Sequence, residues 1–257
     1  MGKIIAFANQ KGGVGKTTTC VNLASYLAKM GLKILIVDMD PQGNATTGLG
    51  IIKSSLDYSV YNVMTEEVDA KGATIETLVE NLYIIPSDID LAGAEVELVY
   101  TKEREKVLKK ALSLVKKDYD YILIDCPPSL GLLTINSLTT ADGAIIPIQS
   151  EYYALEGLSQ LMNSIKLVKR HLNPSLQIEG VLLTMNDSRA TMSKQIAEEI
   201  RKFFGNKLYN TVIPRNVKLA EAPSHGVPIM MHDTRCNGAK AYKAFSEEFY
   251  KKERGEL

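Results

Sequence analysis

The chain has 257 residues, 45% hydrophobic and 23% charged, a balance that excludes a disordered or fibrous polypeptide and supplies ample apolar material for a core. This length is compatible with one α/β domain over residues 1–257. Thirty basic side chains offset thirty acidic ones, but residues 1–160 hold 14 basic and 20 acidic groups while 161–257 hold 16 and 10, which suits the second part to an anionic partner.

Short apolar runs alternate with helical periodicities. Ile4–Asn9 reads as a buried strand and leads into Gln10-Lys11-Gly12-Gly13-Val14-Gly15-Lys16-Thr17-Thr18. Glycines at this spacing allow positive φ, so successive N–H groups turn inward and can surround phosphate oxygens. The helix expected over Thr17–Met30, closed by Gly31, adds its positive N-terminal end. Lys16 then reaches the β- and γ-phosphates, and the Thr17 hydroxyl ligates Mg2+. An ordinary phosphate loop has glycine where Gln10 stands, so Lys11 is a second lysine in the loop. Spacing alone leaves Lys11 either a solvated residue or a ligand for a second nucleotide.

Lys33–Asp38 is the next strand, and Pro41 stops it with Asp38 and Asp40 expected on one face at the carboxyl edge. The stretch Pro41–Lys53 is rich in Gly, Thr and Asn and reads as a ligand-contacting loop. Leu82–Pro86 is a strand and Glu103–Lys117 a helix. Tyr121–Asp125 is a hydrophobic strand ending in an aspartate suited to holding a magnesium-bound water. Helix Leu130–Ala141, strand Ala144–Gln149, helix Leu155–His171, strand Ile178–Met185, helix Ser193–Phe204 and strand Leu208–Pro214 follow. Near-continuous Ile, Val and Leu strands between helices imply a doubly wound, mainly parallel sheet with helices on both faces.

The lysine-first loop, Asp38-Met-Asp40-Pro41-Gln42-Gly43-Asn44, Asp125-Cys-Pro-Pro-Ser129 and Pro214-Arg215-Asn216 together resemble the ParA/Soj partitioning ATPases, the deviant Walker A branch of the P-loop NTPases. Gln149–Gly157 and Ala220–Gly226 resemble that family too, so the likeness runs from Lys3 to about residue 250. The resemblance implies ATP and Mg2+ as cofactors, with slow, partner-stimulated hydrolysis to ADP and phosphate. It implies a homodimer formed around ATP, in which Lys11 reaches the other subunit's nucleotide. Lys11, Lys16, Asp40 and Asp125 are then the catalytic set, with Asp40 orienting the attacking water. Lys11 to Thr18 contact the phosphates, and Asn186 with Pro214, Arg215 and Asn216 lies near the adenine. Arg189 and Lys218 match the family's DNA-contacting surface, used without sequence preference, and a ParB-type centromere-binding protein is the expected partner. The implied location is the cytoplasm, on the nucleoid.

The MinD type of membrane-positioning ATPase shares this loop but requires a basic amphipathic C-terminal helix. The segment Lys240–Arg254 carries Tyr242, Phe245 and Phe249 at helical spacing, yet Glu247, Glu248 and Glu253 would be repelled by anionic lipid. Such a stripe is expected to pack on its own domain, and no membrane association is expected. The strand-like run from Lys3 leaves no room for a signal peptide, and no apolar run reaches the roughly 18 residues of a span. Cys20, Cys126 and Cys236 are isolated, which fits a reducing cytosol and offers no cluster-binding set. His171, His225 and His232 show no metal-ligand spacing.

Overall fold

The computed structural model describes residues 2–151, 154–187 and 191–256. An eight-stranded sheet forms the centre, in the order β3-β4-β2-β5-β1-β6-β7-β8. Its strands are β1 Lys3–Phe7, β2 Ile34–Asp38, β3 Ile75–Glu76, β4 Leu82–Ile85, β5 Tyr121–Asp125, β6 Gly143–Gln149, β7 Gln177–Asn186 and β8 Leu208–Pro214. All neighbours pair in parallel except the edge strand β3, which runs antiparallel to β4. The doubly wound, mainly parallel sheet expected from the alternating pattern is the one observed.

The helices are α1 Lys16–Lys29, α2 Asn44–Gly48, α3 Val60–Met64, α4 Leu91–Glu97, α5 Val107–Ser113, α6 Leu132–Thr140, α7 Ala154–His171, α8 Thr191–Phe204, α9 Val217–Glu221, α10 Ile229–His232 and α11 Asn237–Glu253. Successive strand side chains point to opposite faces, and each face has its own core. Ile4, Ala6, Leu35, Val37, Ile122 and Ile124 join residues of α3 to α8. Ile5, Phe7, Ile34, Ile36 and Leu123 join α1 and α11 on the other side. Burial on both faces explains why these strands are apolar throughout rather than alternating.

Three departures from the sequence reading have local causes. Only the middle of Glu103–Lys117 is α-helical, with 3-10 turns at Arg104–Lys106 and Lys116–Asp118 flanking α5. Asn136 of α6 donates to the Arg104 carbonyl at 2.8 Å and accepts from the Leu108 N–H at 3.2 Å, so tertiary bonds replace the first helical turn. The stretch Pro41–Lys53 contains a short helix, α2, which Asp38 holds through Thr46. The two-residue strand β3 is too short to leave a periodic signal.

Tyr242, Phe245 and Phe249 of α11 are buried, with Phe245 edge-on to Tyr209 and Phe249 edge-on to Tyr121. Burying each of these rings contributes about 2–3 kcal/mol. The apolar stripe of the C-terminal helix is therefore core. No described helix is long and apolar enough to cross a membrane.

Candidate functional site

The site is built where β1, β2 and β5 end side by side. In register, Phe7 lies beside Asp125 and Asp125 beside Asp38. β1 passes into the glycine loop, in which Gly13 has φ 72° and Gly15 φ 83°. Both angles lie in the left-handed region that side chains disfavour. Gly15 ends the loop as the N-cap of α1 and offers no side chain to the first-turn amides, so those N–H groups remain available to an anion. Thr184 of β7 fixes the loop by donating its hydroxyl to the Val14 carbonyl at 2.7 Å. Gln149 of β6 does the same for Gly13 at 3.0 Å, and Asn9 accepts from the Lys11 N–H at 3.0 Å.

Lys16 is buried, and its ammonium donates to the Lys11 carbonyl at 3.3 Å. Burial lowers its pKa, against the opposing pull of Asp125, Cys126 and Asp40. Asp125 is fully buried, and neither carboxylate oxygen meets a well-placed donor. Its pKa stands well above the carboxylate range because of burial and then the charge of Asp38, while the adjacent Thr17 hydroxyl and Lys16 draw it down. A buried carboxylate left this way is costly unless something positive completes it. Thr17 and Asp125 are oxygen donors of the kind Mg2+ prefers. The residues present fit a magnesium-bound triphosphate.

Asp38 plays a different part. Its carboxylate accepts the Thr46 N–H at 2.9 Å and the Thr46 hydroxyl at 2.7 Å, and Thr46 in turn accepts the Ser87 N–H at 2.9 Å. Burial nevertheless raises its pKa to about 6. Asp38 thus ties the loop after β2 to the sheet. Asp40 lies beyond the end of the strand, so the alternation expected to set both aspartates on one face stops at Asp38. Asp40 is buried and accepts the Gln42 N–H at 2.9 Å. Gly43, at φ 54°, turns the loop back so closely that a β-carbon there would lie 2.6 Å from the Ser87 carbonyl oxygen.

Lys11 takes a different partner from Lys16. Its ammonium pairs with Glu151, just after β6, at 2.6 Å and remains partly exposed. Thr18 faces a cleft of about 390 Å³ whose walls include Gly15, Thr184, Met185, Pro214, Arg215 and Asn216. Asn186 pairs with Pro214 across β7 and β8, and its carbonyl accepts the Arg215 N–H at 3.3 Å. The structure therefore brings Lys16, Thr17, Asp40 and Asp125 together beside the loop, with Pro214 to Asn216 forming a wall of the neighbouring cleft. Lys218 stands on α9, exposed and paired with Glu221 at 2.7 Å. Arg189 lies outside the described residues.

Thr184, Met185, Gln149 and Tyr242 were not singled out as site residues from the sequence. Met185 takes a left-handed backbone, φ 49°, which turns it out of the β7 ladder at the cleft. Tyr242 joins the cleft from α11 and shares a 3.1 Å hydrogen bond with Thr19. Both belong to segments whose apolar pattern reads as ordinary strand or helix, so only the threonine and glutamine at strand ends carried a signal.

A family model described as an AAA domain matches residues 2–178. The sporulation initiation inhibitor protein Soj of Bacillus subtilis is 59% identical over 248 residues, covering 96% of this chain and 98% of that protein. The chromosome partitioning protein ParA of Caulobacter vibrioides is 47% identical over 254 residues, covering 98% and 95%. Among solved structures, cobyrinic acid a,c-diamide synthase from Mycobacterium smegmatis, with bound ATP analogue and magnesium, aligns over 100% of this chain and 98% of its own at TM-score 0.88 and 35% identity. The cell division ATPase MinD of Pyrococcus furiosus aligns over 98% and 99% at TM-score 0.81 and 26% identity.

Proposed function

The chain belongs to the Soj/ParA family of chromosome-partitioning ATPases, and from that membership we propose a switch that dimerises around ATP, binds DNA without sequence preference and is discharged by a ParB-type partner. Its reaction is the hydrolysis of ATP, with Mg2+ as cofactor. The observation that supports the site assignment most strongly is Asp125, fully buried with no well-placed donor to either oxygen, beside a buried Lys16 and the glycine loop.

In this reading the bound magnesium nucleotide supplies the scissile phosphoanhydride and the cation that neutralises its charge. Lys16 holds the β- and γ-phosphates from within the subunit, while Lys11 to Thr18 supply backbone N–H groups. Thr17 would hold the metal through its hydroxyl, and Asp125 would hold it through a water. Asp40 orients the attacking water, and the loops after Asp40 and Asp125 respond to the γ-phosphate. Lys11 exchanges Glu151 for the other subunit's nucleotide. Asn186 and Pro214 to Asn216 border the adenine.

For DNA the reading rests on Arg189 and Lys218, in the basic part of the chain. Lys218 exchanges Glu221 for a phosphate, a modest demand because exposed pairs of this spacing are weak. Two contacts per subunit become four in a dimer, with a log–log salt slope of roughly −3.6. The protein is expected in the cytoplasm, on the nucleoid, as a single ATPase domain. The deciding measurement is a salt titration of random-sequence DNA binding with ATP, ADP and no nucleotide, run beside liposome co-sedimentation. ATP-dependent DNA binding that Arg189→Glu with Lys218→Glu abolishes, while ATP binding and dimerisation survive, supports the reading. Binding to liposomes instead of DNA, or a double variant with wild-type affinity and slope, refutes it.

A further inference from the structure

Two glycines distant in sequence meet backbone to backbone. Gly50 follows α2 on the loop that begins at Asp40, and Gly226 closes the 3-10 turn Ala222–His225 that continues α9. A β-carbon at Gly226 would lie 2.7 Å from the Gly50 Cα and 3.2 Å from its nitrogen, and one at Gly50 would lie 2.8 Å from the Gly226 carbonyl oxygen. Both residues hold positive φ, 80° and 65°, so neither the space nor the backbone accepts a side chain. Alongside, Gly48 faces the Pro223 ring, whose Cβ lies 3.8 Å from where a Gly48 β-carbon would stand.

The joint is tied firmly on each side. Towards the phosphate site, Gly50 donates to the Thr47 carbonyl at 3.0 Å, and Thr46 next to it is clamped by Asp38. Towards α9, Gly226 donates to the Pro223 carbonyl at 3.0 Å and Val227 to the Ala222 carbonyl at 3.4 Å. Val217, Leu219 and Ala220 of α9 line the cleft beside the glycine loop, and Lys218 stands among them on the outer side. A movement of the loop after Asp40 therefore bears on the Lys218 segment through backbone atoms, which cannot yield by changing rotamer.

We propose that Gly50 and Gly226 are positioning residues that couple the loop carrying Asp40 to the Lys218 segment, so that nucleotide state sets DNA affinity through the fold of each subunit. The inference rests on the nucleotide-switch and DNA reading given above. Backbone contact at both positions suits this role because a longer side chain would open the joint and absorb the displacement.

The test compares wild type with Gly226→Ala, Gly50→Ala and Gly31→Ala. Gly31 also has positive φ, 89°, but its β-carbon would meet nothing within 4 Å, so it controls for backbone strain alone. One readout is amide hydrogen exchange of residues 221–227 with and without Mg-ATP, and the other is the ratio of random-duplex DNA affinity in ATP to that in ADP. Wild type and Gly31→Ala should show ATP-dependent exchange and a high ratio. Gly226→Ala should retain ATP affinity and DNA-free turnover within about twofold, lose the exchange response and lower the ratio by about tenfold, the ordinary size of an intersite coupling. Gly50→Ala should likewise lose the exchange response and lower the ratio, and it serves if Gly226→Ala does not fold. A wild-type segment 221–227 whose exchange ignores ATP, or joint variants that keep the full response, overturns the coupling. ATP-dependent exchange in a wild type that does not bind DNA would instead retain the coupling and remove the DNA reading.

Discussion

At the amino end of the sheet Lys3 meets Glu179 at 2.7 Å and Glu253 at 2.6 Å, and Lys252 donates to the Glu179 carbonyl at 3.1 Å. At the carboxyl end Lys16 reaches the Lys11 carbonyl at 3.3 Å, and the oxygens of Asp125 find no well-placed donor. The same kinds of charge respond in opposite directions. Burial works against the charge of Lys3, but its two carboxylate partners outweigh it and the pKa rises. Burial also works against Glu179, yet Lys3 prevails and lowers it; at Glu253 burial, with the charge of Glu179, prevails over Lys3 and raises it. At the other end burial wins at Lys16, Asp38 and Asp125 alike. One cluster is closed on itself and fastens α11 to β1 and β7; the other leaves buried charge without matching partners, the pattern expected of a ligand site. Perturbed charge marks function where partners are missing, not merely where charge is buried.

The strongest way to break this contrast is to delete the lysine at each end. Lys16→Ala should lower ATP affinity by on the order of 100-fold, since hydrogen bonds to charged groups contribute roughly 2–3 kcal/mol. Lys3→Ala should bind ATP normally and lose about 1–2 kcal/mol of stability, after discounting for its partial exposure. Equilibrium nucleotide binding and thermal unfolding measure both. Lys11→Ala is expected to bind nucleotide as a monomer but to fail to dimerise in ATP. Equal loss of affinity in the Lys11 and Lys16 variants would remove the cross-subunit role.

Asp40→Ala sharpens the contrast within the open end. It should bind Mg-ATP and dimerise, yet turn over ATP about 100-fold more slowly, because only the positioning of water is removed. Persistence of the dimer in ATP, followed by sedimentation, accompanies the slow turnover. Wild-type turnover would show that another group holds the water.

The positive-φ glycine loop and the strands that end in Asp38 and Asp125 were legible in the sequence because glycines at fixed offsets and apolar runs closed by aspartate leave local patterns. The closed end was not, since Lys3, Glu179 and Glu253 are 74 to 250 residues apart and no local pattern joins them. Likewise α2 was hidden in a Gly- and Thr-rich stretch with little helical propensity, and it exists because Asp38 grips Thr46. His225 and His232, read as separate, stack with ring centroids 4.8 Å apart. Local chemistry was readable, while pairing across the sheet waited for the fold.

Asp125→Asn and Glu179→Gln should move stability in opposite directions. The first removes a buried carboxylate whose charge burial and Asp38 oppose, a gain that losing its attraction for Lys16 limits to about 1 kcal/mol, so Tm should rise by roughly 2–4 °C while Mg-ATP hydrolysis is impaired. The second takes one carboxylate from Lys3 and should lower Tm by a few degrees, roughly 2–4 °C, with turnover intact. Calorimetry without nucleotide distinguishes them. A destabilised Asp125→Asn would show that its carboxylate is satisfied in solution, and the contrast between the two ends would fall.

The smallest effect tests the open end by pH. Asp38 has a folded-state pKa of about 6 against an ordinary 3.8. Between these values the unfolded chain has released the proton that the folded protein still holds. The unfolded state then binds fewer protons, so stability falls as pH rises from about 4 to 6 and levels off above 6. The full loss amounts to about 3 kcal/mol at most, and Asp125, which senses the charge of Asp38, spreads it over a wider range. Other carboxylates produce a trend of the opposite sign, so the useful quantity is the difference between two proteins. Asp38→Asn keeps the carbonyl that Thr46 needs but does not titrate. Its NH2 group can only donate and so gives up the bond from the Asp40 N–H, which adds an offset but little slope. The Tm of Asp38→Asn minus that of wild type, without nucleotide, should climb by a few degrees from pH 4 to pH 6.5 and then hold constant. A flat difference would mean that Asp38 ionises as easily folded as unfolded, and that its hydrogen bonds from Thr46 and Asp40 fully offset burial.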